Sequence, residues 1–332
     1  MILIVSFAAD GHTAAVIKEL SRLGGEYRLL DLSQFPERVV LDIDYSPGPS
    51  LRARLCWDGG QDLSLSDVHV VWWRRPQPVQ PPHAIVRPSH YQFALSECSE
   101  AITGFWHLLD VFWINHPTRN EVAARKAYQL DVAGRVGLRI PRTLITNDPQ
   151  RAREFIAEIG LGSMIYKSFS ATEQEWRETR VLRLDEVPLL DNVRFAPVIF
   201  QEYVPAKADL RITVVGDRIF PAAIYSQETS YTIDFRVDMT AARIEPLALP
   251  LETERALMAL MKDLKLAYGA IDMRLTPDGE FVFLEINPAG QWLFIEERTG
   301  QPITTALAEL MVASESARFG SVSMPRRTGG LE

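Results

Sequence analysis

Cysteine is nearly absent from this chain. Only Cys56 and Cys98 occur, neither in a CxxC pair, and no Cys/His cluster has zinc-site spacing. Two isolated thiols exclude a disulfide scaffold and fit a reduced, cytoplasmic setting. Long apolar runs are missing as well. Nothing approaches the ~20 residues that a bilayer span needs. The apolar start at 2–7 has no basic lead and is too short for a secretory h-region. Positive charge is not in excess: 35 Lys and Arg against 43 Asp and Glu give a net −8. An acidic whole argues against a general nucleic-acid or membrane-surface binder. There is no GxxxxGK[ST], no GxGxxG after a strand and no GxSxG. P-loop and Rossmann nucleotide sites and a serine-hydrolase elbow are therefore disfavoured.

What is present fits a soluble globular protein. The 332 residues are 47% hydrophobic and 23% charged, enough for two or three packed subdomains. Strands alternate with helices, which gives an α/β class with antiparallel hairpins in the C-terminal half. Strands are expected at 2–7, 27–32, 68–73 and 112–114, with helices at 13–23 and 91–109 and a hairpin over 41–57. A helix over 119–136, ended by Gly137, opens the middle. A β-α-β unit over 142–167 follows, then a polar loop at 168–183. Hairpins over 210–226 and 269–287 and a closing helix at 303–313 complete the chain. The expected subdomains are 1–114, 115–196 and 197–320, with a disordered tail at 321–332.

The strongest chemistry lies at Asp272 and at Glu285-Ile286-Asn287. Residues i and i+2 of a strand share a face, so Glu285 and Asn287 point the same way. If the hairpin loop has an even number of residues, Asp272 joins them. Hard oxygen ligands of this kind suit Mg²⁺. The apolar flanks Phe281, Val282, Phe283, Leu284 and Ile286 imply a largely buried hairpin, where carboxylates need partners. A second group is Gln201-Glu202-Tyr203-Val204-Pro205, a strand end whose backbone can meet an adenine edge. Asp209 follows seven residues after Glu202. Lys126 and Lys167, on separate elements, can neutralise a polyphosphate. Either lysine alone reads as a solvated surface residue. Only the ordered set of Lys126, Lys167, Glu202, Asp209, Asp272, Glu285 and Asn287 points to a nucleotide and metal site.

That set resembles the ATP-grasp superfamily over about 115–310, behind a typical pre-ATP-grasp α/β domain at 1–114. A narrower likeness rests on Val71-Trp72-Trp73-Arg74-Arg75-Pro76, Asn115-His116-Pro117, Lys126-Ala127-Tyr128-Gln129-Leu130, Gln201-Glu202-Tyr203-Val204 and Glu285-Ile286-Asn287-Pro288-Ala289-Gly290-Gln291-Trp292. These resemble the graspetide (microviridin-type) macrocyclases, which close side-chain lactones or lactams in a ribosomal precursor peptide. Gly290-Gln291-Trp292 is the most discriminating piece. Ser168-Phe169-Ser170-Ala171 departs from the family in lacking the glycines of the usual phosphate loop.

The resemblance implies ATP and Mg²⁺ as cofactors and a precursor peptide with a leader segment as partner. Lys126 and Lys167 would meet the phosphates. Gln201, Glu202, Tyr203 and Val204 would meet adenine, Asp209 the ribose and Arg211 the transferred phosphate. Asp272, Glu285 and Asn287 would hold the metal. A substrate Asp or Glu would become an acyl-phosphate, captured by a hydroxyl or a lysine amine. Arg236 is the first candidate for gripping that carboxylate and Arg274 the second. Asp234 and Asp238 both stay open as the base. Trp176 and Arg180, with Arg177, Arg183, Arg194, Val181, Leu182 and Leu184 near them, are the candidate leader contacts. Two other readings compete. One is a RimK-like or glutathione-synthetase-like ligase of amino acids. The other is a degenerate nucleotide sensor, which would have lost metal ligands or lysines that are all present. The oligomeric state is open, with a homodimer allowed.

Overall fold

The structure, a computed structural model, describes residues 1–46, 51–58, 60–169, 179–228 and 242–321. The chain divides into two units, Met1–Pro117 with the stretch from Pro302, and Thr118–Gln301.

The first unit contains β1 (Ile2–Val5), α1 (Gly11–Leu23), β2 (Tyr27–Leu30), β3 (Val39–Tyr45), β4 (Leu51–Trp57), β5 (Gln61–Ser64), β6 (Val70–Trp73), α2 (Pro88–Leu108) and β7 (Phe112–Ile114). β1 and β6 are apolar along their whole length, so neither can leave a face in water. They lie at the centre of a parallel sheet of order β2-β1-β6-β7. α1 starts where Asp10 accepts the Thr13 N–H at 2.7 Å. It stops at Gly24, in the left-handed region at φ 74°. β3, β4 and β5 form a separate antiparallel sheet. Trp106 anchors the core, with its ring edge-on to Trp73 at 5.5 Å and to Phe105 at 5.3 Å.

The second unit runs through α3 (Pro117–Ala123), α4 (Lys126–Arg135), β8 (Thr143–Thr146), α5 (Pro149–Ile159), β9 (Met164–Lys167), β10 (Arg180–Val181), β11 (Val198–Glu202), β12 (Ala208–Val215) and β13 (Arg218–Ile224). It continues with β14 (Ile244–Pro246), α6 (Leu251–Leu264), β15 (Tyr268–Leu275), β16 (Phe281–Asn287) and α7 (Leu293–Thr299). One antiparallel sheet has the order β10-β9-β11-β8, with α5 and a 3-10 stretch, Leu184–Phe195, packed together beside it. The other has the order β14-β13-β12-β15-β16. Leu210, Ile212, Ile271, Met273 and Ile286 give it an apolar face, buried with residues of α4 and α6. Period-two alternation sends Asp209, Arg211, Asp272 and Arg274 to the opposite face. Among the described residues no helix is long and apolar enough to cross a membrane.

Three expectations change. The helix expected over 119–136 is two helices, because Gln129 Nε2 takes the Ala123 carbonyl at 2.6 Å. In an unbroken helix that carbonyl would accept the N–H four residues on. The closing helix, α8 (Ile303–Ser321), is longer than expected and packs on α1, with Thr305 Oγ1 2.9 Å from Glu19 Oε1. It thus belongs to the first unit rather than to the C-terminal subdomain. The even-loop premise for the 269–287 hairpin also fails. Thr276 N–H donates to the Glu280 carbonyl, so Pro277, Asp278 and Gly279 close the turn, an odd number. Gly279 sits at φ 88°, the position where a three-residue turn needs left-handed backbone. The tail at 322–332 lies outside the described residues.

Met311 of α8 is fully buried. Met311→Ala should lower unfolding stability by about 2–5 kcal/mol, read from a denaturant melt. A change below about 0.5 kcal/mol, the size typical of surface positions, would mean that α8 packing contributes little.

Candidate active site

An odd turn on its own would point Asp272 and Glu285 to opposite faces. Between Asp272 and Met273 the pairing shifts by one: Met273 faces Phe283, while Asp272 faces Glu285 and Ala270 faces Asn287. Leu284 is the extra residue of this bulge, and it restores the alignment that the turn removes. Asp272 and Glu285 are therefore direct cross-strand neighbours, with Asn287 two residues along.

On the other side of β15, Arg211 faces Asp272 and Asp209 faces Arg274. The four charges alternate around a square. Arg211 Nη1 donates to Asp272 Oδ1 at 2.8 Å, and Arg274 Nε donates to Asp209 Oδ1 at 2.9 Å. Asp209, Arg211 and Arg274 are all buried. Burial works against the Arg211 charge, but the Asp272 carboxylate outweighs it and the pKa rises above the ordinary guanidinium value. Arg211 Nη2 donates to the Gln291 carbonyl at 2.9 Å, while its Nε is buried without an acceptor.

The turn after β16 is built for that contact. Tyr268 Oη donates to the Gly290 carbonyl at 2.8 Å, and Trp292, fully buried, stacks edge-on to Tyr268 at 5.5 Å. A Cβ on Gly290 would lie 2.3 Å from Ala270 Cβ and 3.0 Å from Arg211 Nη2. The Gly-Gln-Trp signature thus has a steric meaning: glycine lets the turn approach the sheet, and tryptophan fixes it there.

Lys126, at the start of α4, forms an ion pair with Glu285. Asn287 Oδ1 accepts the Ala289 N–H at 2.9 Å. The donor set therefore comprises two carboxylates and an amide oxygen, with Arg211 and Lys126 beside the carboxylates. Among the described residues no group of three His, Cys, Asp or Glu is arranged for a metal. This set fits Mg²⁺, which takes one or two protein carboxylates and fills its octahedron with water and phosphate oxygens.

The strand end expected to meet adenine, 201–204, a candidate hinge, lies at the end of β11. Buried Gln201 donates to Thr143 Oγ1 at 2.8 Å and accepts from Lys167 Nζ at 3.2 Å, which fixes the lysine's direction. Glu202 Oε2 accepts the Arg142 N–H at 3.2 Å, and Tyr203 N–H donates to the Ser163 carbonyl at 2.8 Å. The Val204 carbonyl accepts from Arg274 Nη1 at 2.7 Å. Asp209 is held by Ser226 Oγ as well as by Arg274. From the sequence Asp209 reads as a ribose contact and Arg274 as a carboxylate grip. In the structure the two side chains bond each other, and Arg274 ties the strand end to the sheet.

Trp176, Arg177, Asp234, Arg236 and Asp238 lie outside the described residues. Arg180 is exposed on β10, across from Tyr166. Leu182 is buried in a core cluster with Phe155, Met164 and Phe200. Arg183 lies 3.2 Å from Asp185 and Arg194 3.7 Å from Asp191, so two of the four arginines are already balanced. Leu184, one of the candidates, is exposed by 74%, and Leu189 and Phe195 near it are exposed by 59% and 81%. Sequence reasoning missed Leu189 and Phe195 because 3-10 periodicity is not helical periodicity. It missed Ser226 and the part played by Gln129 because neither signals long-range contact.

The α/β-plus-hairpin architecture, the hinge and the acidic hairpin define an ATP-grasp ligase. The MvdD pre-ATP grasp domain matches residues 1–121, and the RimK-like ATP-grasp domain matches residues 123–311. The chain belongs to the RimK-like ATP-grasp family. The solved structure of macrocyclase MdnC bound with precursor peptide MdnA, from Microcystis aeruginosa MRC, is 34% identical. That match covers 94% of this chain and 99% of that one, with a TM-score of 0.82. A RiPP-associated ATP-grasp ligase of Chryseobacterium gregarium, solved with ADP and a leader and core peptide, is 26% identical. It covers 100% of this chain and 99% of its own, at TM-score 0.86. A probable alpha-L-glutamate ligase 2 of Shewanella amazonensis (strain ATCC BAA-1098 / SB2B) is 24% identical over 241 residues, 71% of this chain and 78% of that one.

Gly290→Ala should push Arg211 from its place. A displacement of about 1 Å in a positioning group costs about 100-fold in turnover. ADP release should show that loss, and adding Ala270→Gly should restore part of it. Unchanged turnover in Gly290→Ala would remove Arg211 from the chemistry.

Proposed function

We propose that this protein activates an Asp or Glu side chain of a ribosomal precursor peptide as an acyl-phosphate and closes a macrocycle through an ester or amide bond. The observation that carries the phosphoryl chemistry of this reading is the paired Asp272 and Glu285 with Arg211 and Lys126 beside them. The 34% identity with a precursor-binding macrocyclase over nearly its whole length supports a peptide substrate.

A substrate carboxylate oxygen attacks the γ-phosphorus of ATP, the bond to the β-phosphate oxygen breaks, and ADP leaves. Arg211, always charged and with a free Nε–H, meets the transferring phosphoryl group. Lys167, aimed by Gln201, and Lys126 offset phosphate charge. Mg²⁺ held by Asp272, Glu285 and Asn287 would supply charge neutralisation and orientation of the phosphates. The Glu202–Val204 hinge receives adenine. In the second half, a Ser or Thr hydroxyl or a Lys amine attacks the acyl carbon. Phosphate leaves, and the nucleophile's proton passes to a base. Arg236 remains the candidate for holding the substrate carboxylate. A small amino-acid substrate, as the glutamate-ligase relative suggests, is the second reading and uses the same phosphoryl chemistry.

Replacing Glu285 with Gln keeps the shape and removes a negative ligand. Product formation should collapse while the fold survives in circular dichroism, and wild-type turnover would sink the metal assignment. Wild-type protein should release ADP and phosphate, and stoichiometric AMP would rule out the acyl-phosphate route.

A leader peptide is proposed to dock along 168–183 and its neighbour 184–192, where Leu184 and Leu189, with Phe195 beyond, are exposed. Trp176→Ala with Arg180→Ala should weaken precursor binding in calorimetry and spare ATP. Equal loss for both ligands, or no loss, would favour the small-substrate reading.

A further inference from the structure

β16 is the edge strand of its sheet, so one side of its backbone has no strand partner. The Phe283 N–H is taken by the Arg139 carbonyl at 2.8 Å. At Ile286 a side chain stands in for a strand. Gln129 Oε1 accepts the Ile286 N–H at 3.2 Å, and Gln129 Nε2 donates to the Ile286 carbonyl at 2.8 Å and to the Ala123 carbonyl. Gln129 is buried.

Ile286 itself packs into the core, while its neighbours Glu285 and Asn287 face Asp272 and Ala270. Fixing both peptide groups of Ile286 fixes the Cα–Cβ directions of the two flanking residues. Lys126, three residues before Gln129 and at the start of the same helix, meets Glu285. One amide thus sets two candidate ligands together with their counter-cation. It does so by breaking the helix, since the Ala123 carbonyl that it captures would otherwise continue α3 into α4.

We propose that Gln129 is a positioning residue of the metal face, setting divalent-cation affinity through the backbone of Ile286. The proposal rests on reading Asp272, Glu285 and Asn287 as metal ligands. Groups that orient ligands in this way typically govern metal affinity by about 10- to 100-fold.

The test is Mn²⁺ titration of the full chain by electron paramagnetic resonance in the presence of ADP, with metal-free ADP affinity measured separately. Gln129→Met keeps the length and loses all three hydrogen bonds. It should weaken Mn²⁺ by about 10- to 100-fold and leave metal-free ADP affinity unchanged. Glu285→Gln is the benchmark. If Glu285→Gln binds Mn²⁺ as wild type does, the metal reading itself fails. If Glu285→Gln loses Mn²⁺ while Gln129→Met keeps it and only melts earlier, Gln129 is merely structural and the proposal is overturned. Should Gln129→Met not fold, Gln129→Asn, one methylene too short to reach Ile286, is read by the same criteria.

Discussion

The site depends on Leu284, a residue with no partner across its hairpin. A β-strand alternates its side chains strictly, so the parity of a hairpin turn decides which residues of the two arms share a face. The Pro277-Asp278-Gly279 turn has the wrong parity for a joint Asp272 and Glu285 site. Moving one residue out of the ladder corrects it only beyond the bulge. Near the turn, Met273 and Phe283 pair in the core; past the bulge, Asp272 and Glu285 pair on the polar face. The hairpin can thus keep an apolar arm by the turn and a carboxylate pair further along without a second strand break.

That carboxylate pair extends into an alternating charge array across β12 and β15. Buried charges persist only when paired and hydrogen-bonded, because the desolvation of each ion costs several kcal/mol. Arg211 with Asp272, and Arg274 with Asp209, meet that demand within adjacent rungs of the sheet. The second pair reaches further, since Arg274 also holds the Val204 carbonyl. The hinge and the acidic face are therefore joined by one guanidinium. Under the proposed reading this tie fixes the distance between the adenine end and the phosphate end of a nucleotide, and such positioning is most of what a phosphoryl-transfer enzyme contributes.

Much of this was legible in the sequence where local rules apply. Period-two alternation put Glu285 with Asn287, apolar runs gave β1 and β6, and spacing marked the hinge. What was not legible depends on contacts far apart in the chain. The bulge at Leu284 leaves no local signature, since Phe281–Asn287 is a near-continuous apolar run in which Leu284 is one apolar residue among five. The break after Ala123 lies in a stretch with good helical propensity and is made by Gln129, a side chain that bonds a residue 157 positions away. Asp209 and Arg274 read from the sequence as contacts to two different ligands, and only the sheet pairing brings them together. The placement of α8 on α1 could not be read from either helix alone, because amphipathic faces show that a helix packs without showing against what.

A ligase that transfers a phosphoryl group to one carboxylate among many needs more than this face. The groups at the phosphates are the same whether the carboxylate belongs to a free amino acid or to a peptide, so they carry no choice of substrate. Selection must come from binding remote from the reacting atoms, where added contact area can help order the site. Under the proposed reading the Leu184–Phe195 stretch supplies that binding. Leu184, Leu189 and Phe195 are exposed there within twelve residues of chain. Arg153, Arg183 and Arg194 bind Asp191 and Asp185 around them, so the backbone that presents these side chains is braced by its own ion pairs. Of the four arginines singled out in the sequence, Arg183 and Arg194 thus pair within the stretch itself, and under the proposed reading the apolar residues between them would meet the peptide.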